Sequence, residues 1–448
     1  MRTPRLILLA AFAFAVMGDP VSSVAYAIEA ALRALHGDLD LLLPTVGVVL
    51  GIIALVSVNY NQLYARFPEG GGDAAAIGVA FGEGWAFLPL GSLIVDYALT
   101  IAISVAAGAS AVIAYLPGLA AFRVLLALGL LAFVAGLTWF GHGGRAVFAT
   151  MTIAFVLVAL AIVVKGFFAA AAHGAAPPAS PGHGAPLAVL IAFPVAMALA
   201  TGVEAPSSAI AQLGQLDDAG RCRFGRITLW LMLAIVVTLT MGLAGLAVQL
   251  RIGVPPSDST QIAEVARAAA GSGSLFAAFQ LTTALLLLAA TSSSFQAGPG
   301  LLKALARGGG GVGVLPRGLG QTNVHHTPYF GVLVFLVVAA LIVVGAGGRE
   351  QRLVLFYAVA VFVAFLCGLL AMARFLRRDR RMLLFAASAL GAIAVAATLV
   401  IDLARGYPIV SLGAAGLIAA ILHALWVKAG RPRGVAEAEQ LAEAPLGA

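Results

Sequence analysis

The apolar run from Leu6 to Leu35 is interrupted at its centre by Gly18-Asp19-Pro20. A carboxylate inside a membrane-length apolar stretch is costly and by default marks a functional position. Glycine and proline beside it predict a helix break, and a bilayer tolerates broken backbone only where it lines a buried cavity. A second interruption follows half a chain later, in Ala200-Thr201-Gly202-Val203-Glu204-Ala205-Pro206. Two broken helices in corresponding positions point to a transporter built of inverted repeats, with its site near the bilayer midplane.

Composition fits an all-α integral membrane protein. Of 448 residues, 62% are hydrophobic and only 10% charged, against roughly 45–50% and about 25% in soluble domains. The apolar runs predict twelve spans, near 6–35, 41–63, 86–116, 121–140, 146–171, 187–213, 227–250, 275–303, 328–346, 353–376, 382–403 and 409–428. Turn signals separate them at Phe67-Pro68-Glu69-Gly70-Gly71-Gly72, between His173 and Pro186, and from Gly308 to Gly313. Residues 1–433 therefore read as one transmembrane domain. Residues 434–448, acidic and Ala-rich, read as a disordered cytoplasmic tail.

Arg2 and Arg5 before an apolar stretch also resemble a secretory signal, but the run continues past the break and eleven spans follow. Basic residues concentrate in Arg221, Arg223, Arg226 and the cluster from Arg374 to Arg381. These place both termini in the cytoplasm, with the bacterial inner membrane as the expected location. The net charge of +7 is thus positive-inside bias and not a nucleic-acid footprint. Cys222 and Cys367 offer neither a disulfide framework nor metal spacing, and His325-His326 is adjacent and not i, i+4, so no metal site is expected. With no phosphate-binding, dinucleotide or hydrolase motif, no cofactor is expected, and uphill transport must draw on an ion gradient.

Asp19 is followed by Ser22 and Ser23, and Glu204, 185 residues later, by Ser207 and Ser208. Restarting half-helices would present free N–H groups for those hydroxyls to cap. A third intramembrane acid, Asp96, lies on one helical face with Thr100 and Ser104, flanked by Tyr97; Tyr26 lies two turns beyond Asp19. Isolated hydroxyls in membrane helices usually serve interhelical hydrogen bonding. Buried acids usually sit in structural ion pairs, but Lys165 and Lys303 lie only near span ends.

These motifs resemble the amino acid–polyamine–organocation (APC) superfamily, and within it the bacterial potassium–proton symporters of the high-affinity importer type. The resemblance rests on Gly18 to Ala27, Phe67 to Gly72, Val95 to Thr100 and Thr201 to Ala205, with a weaker match at Leu355 to Val359. It implies a LeuT-like fold. Repeat one covers about 6–171 and repeat two about 187–376, each of five helices, with broken helices 1 and 6 and two further helices over about 382–428. It also implies that Asp19, Asp96 and Glu204 serve the ion pathway and proton coupling, with Tyr26, Tyr97, Ser104 and Thr201 along the same path. Such relatives form a homodimer through a soluble C-terminal domain that has no counterpart after the last span here. Ser292-Ser293-Ser294-Phe295 stands where an Asn-Thr-Ser is common, and the third loop keeps little beyond Arg145.

An amino acid substrate needs bare backbone N–H groups at the first break, where Asp19 and Pro20 stand instead. Two like charges 4 Å apart repel by about 4 kcal/mol at an effective dielectric of about 20. Three acids, two phenols and several hydroxyls supply the oxygens that a desolvated potassium ion requires. The sequence therefore reads as a proton-coupled cation importer working by alternating access, with potassium as the first candidate. The alternative is a proton-coupled amino acid or polyamine permease. A sensor that binds without transport belongs to a different class, and no nucleophile–base pair suggests an enzyme.

Overall fold

The computed structural model describes residues 5–141, 144–169, 184–307 and 310–443. Most of the stretch between His173 and Pro186 lies outside them. Among the described residues the secondary structure is helical, with no strand.

The first span is built in three pieces, α1 (Arg5–Val16), α2 (Gly18–Ser22) and α3 (Val24–Ala34). After α4 (Leu42–Arg66), three successive glycines with positive φ (98°, 99° and 53° at Gly70, Gly71 and Gly72) turn the chain into α5 (Gly72–Phe81). Side chains rarely adopt such angles, so glycine is needed there. At ten residues α5 is too short to cross a bilayer. There follow α6 (Phe87–Tyr115), α7 (Arg123–Trp139) and α8 (Arg145–Phe167).

A second broken span comes next, α9 (Ala185–Ala196) and α10 (Ala205–Ala209). Then come α11 (Asp218–Gln249), α12 (Gln261–Ala270), α13 (Ser274–Leu305), α14 (Tyr329–Gly345) and α15 (Glu350–Arg378). Two further spans, α16 (Met382–Leu403) and α17 (Ile409–Lys428), precede the short α18 (Ala438–Glu443).

Among the described residues, ten helical segments are long and apolar enough to span. The interrupted first span and α14, whose 17 residues reach roughly 25 Å, complete the twelve. The seventh span begins earlier than its apolar run, because Asp217 accepts from Gly220 N–H at 3.1 Å and caps a polar first turn. Large apolar side chains on α14, α16 and α17, such as Leu341, Ile393 and Leu417, face outward, where lipid covers them.

The tail departs from expectation. Residues 434–443 are helical and docked, with Val435, Ala438 and Glu439 buried. Disorder is the prior for an acidic, Ala-rich stretch, but here an N–H in the first turn of α5 and the side chains of Ser208 and Gln212 supply donors for its carboxylates. Residues 444–448 lie outside the described set. The bundle thus has one end carrying α5 and α18, and an opposite end carrying α12.

Candidate functional site

The two interruptions differ in kind. Met17 and Ser23 keep near-helical angles (φ −77°, ψ −2° and φ −63°, ψ −24°), so the first is a pair of kinks flanking α2. The break expected at Gly18-Asp19-Pro20 is therefore displaced to either side. Pro20 lies within the first turn of α2, where a missing N–H costs no intrahelical bond. The second interruption is unwound, with Thr201 extended (φ −64°, ψ 141°) and Gly202 left-handed (φ 79°).

The serines do not cap N–H groups as expected. Ser22 Oγ donates to the Asp19 carbonyl at 2.7 Å, and Ser207 Oγ donates to the Glu204 carbonyl at 2.6 Å. Each acid's own carbonyl is thus satisfied by the hydroxyl three residues on, in both repeats. Ser23 Oγ donates to the Pro20 carbonyl (2.6 Å) and reaches the Leu199 carbonyl (3.3 Å) in the other repeat. The kinks free carbonyls, and a serine hydroxyl one turn away is the nearest donor.

The two interruptions touch. A Cβ built on Gly202 would lie 2.6 Å from Pro20 Cδ and 3.2 Å from Asp19 Cβ. Only glycine allows that approach, and it brings Asp19 beside the segment that carries Glu204. Asp96 on α6 is within electrostatic reach of both Glu204 and Asp19. Asp19 Oδ1, Asp96 Oδ1 and Glu204 Oε2 are buried without a hydrogen-bond partner among the described residues. Buried like-charged groups within electrostatic reach of one another, with no ion-pair partner among the described residues, favour binding protons or a cation.

The remaining expected residues are distributed around this contact. Tyr26 on α3 is buried and near Asp19 and Asp96. Tyr97 turns toward the α18 end and lines a cavity of about 590 Å³ together with Asp19 and Glu204. Thr201 Oγ1 donates to the Ala198 carbonyl at 3.0 Å, within its own turn. Ser104 is buried two turns beyond Asp96, its Oγ unpartnered.

Tyr357 on α15 was not among the expected residues, although it stands in the Leu355 to Val359 motif. Its hydroxyl lies 2.5 Å from Thr100 Oγ1 on α6, and its electrostatic neighbours are Asp96, Tyr26 and Asp19. A lone tyrosine in an apolar helix gives no sequence signal of which face it takes.

The cavity reaches the acids from the α18 end, past Ser208, Lys303 and Glu443. Beyond the acids, toward the α12 end, polar ties close the helices together. Glu29 on α3 accepts from Arg33 Nε at 2.8 Å and from Gln261 N–H on α12 at 3.0 Å. Ser110 Oγ on α6 donates to Glu350 Oε2 on α15 at 2.7 Å and accepts from Arg123 at 2.5 Å. Gln351 Nε2 donates to the Tyr26 carbonyl at 3.2 Å.

Among the described residues no cluster of metal-binding side chains is present. The site is a set of carboxyls and hydroxyls at the closed end of a one-sided cavity.

Comparison with known proteins accords with this geometry. The potassium transporter KimA of Bacillus subtilis is 29% identical over 361 residues, 78% of this chain. That alignment spans 58% of the relative's length. The crystal structure of a manganese transporter from Eremococcus coleocola superimposes with a TM-score of 0.51 at 13% identity, covering 96% of this chain and 97% of that one. At such low identity it supports the fold alone, which is LeuT-like. The amino acid permease family matches residues 7–435. The chain belongs to that family and is a multi-pass membrane transporter.

Proposed function

We propose that this transporter imports a monovalent cation, potassium before others, in symport with protons. The observation that carries the reading is that Asp19, Asp96 and Glu204 lie within electrostatic reach of one another where the two interruptions touch, beside Tyr26, Thr100 and Tyr357 and with no ion-pair partner among the described residues. Oxygens from α2, α3, α6, α15 and the unwound segment before α10 can replace a hydration shell. A cation held by one carboxylate and a proton on another reduce the cluster's charge together, as symport requires, and each alters the affinity for the other. Acids within electrostatic reach of one another share their protons, so no single proton carrier is assigned.

Alternating access follows from the asymmetry of the two ends. The cavity opens at the α18 end, and the ties around Glu29 and Glu350 close the α12 end. Taking the termini as cytoplasmic, as the basic residues direct, the state described faces inward. The bacterial relative's potassium transport supports the choice of cation. A second reading, a small organic polycation, draws on the cavity volume of about 590 Å³, more than a bare ion needs and within the range of small-molecule sites.

The test is uptake into a potassium-transport-deficient bacterium at micromolar external potassium, with and without a protonophore. Protonophore-sensitive rescue, lost in Asp19→Asn, is the expected result. No rescue by protein that reaches the membrane, together with polyamine counterflow in liposomes, would overturn the potassium reading.

A further inference from the structure

We propose that residues 434–443 form an autoinhibitory latch that holds the α18 end of the cavity narrowed and must undock for it to open fully. The latch rests on the transport reading only for its effect on uptake. Its docking and its effect on cavity access stand apart from substrate or coupling ion.

One carboxyl makes the central tie. Glu439, 5% exposed, accepts from Ser208 Oγ on α10 at 2.9 Å and from Ala74 N–H on α5 at 3.2 Å. Ala74 is in the first turn of α5, where N–H groups lack intrahelical partners. The exchange is reciprocal. Glu83, just after α5, accepts from Gly434 N–H at 3.0 Å and Val435 N–H at 3.4 Å, satisfying the start of the tail's own helical turn. Gln212, following α10, donates to Glu443 at 2.5 Å.

These bonds join α10 to α5 through the tail. α10 is only five residues long and follows the unwound Thr201–Gly202 segment, so no continuous helix fixes its position. Leu441, Ala442 and Glu443 form part of the cavity wall, and Ala442 packs against Gly300 of α13. A docked tail thus restrains the inner half of the second broken span and occupies part of its exit.

The apolar surface that accompanies docking is small, mainly Val435, Ala436 and Ala438. Small apolar burial and hydrogen bonds to neutral donors suit a contact that releases. Among the described residues Glu439 forms no ion pair.

The test uses the full chain in a Cys222→Ser, Cys367→Ser background with Ser293→Cys, a cavity-lining position, as a reporter. A bulky hydrophilic maleimide should label purified protein at least about tenfold faster when residues 434–448 are removed or when Glu439→Ala is introduced, since two ordinary hydrogen bonds at about 1 kcal/mol each carry up to roughly thirtyfold. Glu439→Ala leaves every span intact and serves if the truncated protein aggregates. Equal rates with and without the tail would overturn the latch.

A second arm fixes the tail in place. A Cβ on Gly300 would lie 3.7 Å from Ala442 Cβ, within the disulfide range of about 3.5–4.5 Å. Gly300→Cys with Ala442→Cys, without the reporter, should cross-link on oxidation and lose uptake until reduced. Failure to cross-link, or full uptake by the oxidised protein, counts against the latch. A labelling contrast in a protein that transports no potassium would keep the latch and reject the potassium reading.

Discussion

The Tyr357 hydroxyl lies 2.5 Å from Thr100 Oγ1, joining α15 to the same helical face that carries Asp96. Both side chains are buried, at 0% and 1% exposure, so neither hydroxyl has water as an alternative. Tyr357→Phe keeps the ring and removes this link. A net hydrogen bond is worth about 1 kcal/mol, or roughly a fivefold change in affinity. The variant should reach the membrane at normal levels with a several-fold higher half-saturating potassium concentration. Unchanged uptake kinetics would remove Tyr357 from the site.

The Gly202–Pro20 contact makes a sharper prediction. At Gly202, alanine meets both a left-handed backbone (φ 79°) and Pro20 Cδ at 2.6 Å. Strained backbone alone costs on the order of 1–3 kcal/mol, and separating the interruptions would disperse the acids. Gly202→Ala should abolish uptake and lower thermal stability. Gly245→Ala is the control: its Cβ meets nothing within 4 Å and lies in the helix α11, where alanine gains up to about 1 kcal/mol. Fluorescence-detected size exclusion after heating separates the two.

Apolar run length made the twelve spans legible, because a bilayer leaves few alternatives to helices of that length. The acids were legible because charge is scarce: Asp19, Asp96 and Glu204 stand out in any apolar background. Local geometry was not. Asp-Pro after glycine reads as a break, yet Pro20 fits the first turn of α2, and the kinks fall at Met17 and Ser23. The paired serines mark equivalent places in the two repeats, but whether a hydroxyl serves a carbonyl or an N–H depends on which group the bend exposes. Tyr357 and Glu439 were invisible for another reason. Their partners lie 257 and 231 residues away, at Thr100 and Ser208, and no local pattern encodes such pairings.

At the α12 end, Glu29 is 2% exposed and holds both Arg33 and the first turn of α12. Removing a buried charged acceptor costs about 1–3 kcal/mol, whereas an exposed ion pair is worth less than about 1 kcal/mol. Glu29→Ala should therefore speed amide exchange in the first turn of α12 about tenfold or more, measured by hydrogen–deuterium exchange mass spectrometry. Glu264→Ala removes the half-exposed pair with Arg267 and should change exchange there much less. Equal effects would mean that Glu29 does not hold this end closed.

The tail should respond to pH. Burial pushes the Glu439 carboxyl up from 4.5 to about 8; Asp73 adds like charge, and the Ser208 hydroxyl and Ala74 N–H oppose it. Asp73, also buried, is pushed up to about 7, against the pull of the Tyr60 hydroxyl. The groups around Glu439 are thus Ser208 on α10, Asp73 and the Ala74 amide on α5, Tyr60 on α4, Tyr97 on α6 and the acid Glu204 across the cavity. Lys303 on α13 lines the same cavity. A raised folded value means that the docked tail binds its proton more tightly than the released one. Docking is therefore fully favoured below about 4.5 and is lost progressively as pH rises through about 8. The ratio of Ser293→Cys labelling rates, intact over truncated, cancels the intrinsic reactivity of the thiol. It should climb toward one between about pH 6 and about pH 9, while Glu439→Gln, which cannot ionise, should flatten most of that climb. A ratio that stays constant in the parent protein would show that the carboxyl does not govern docking.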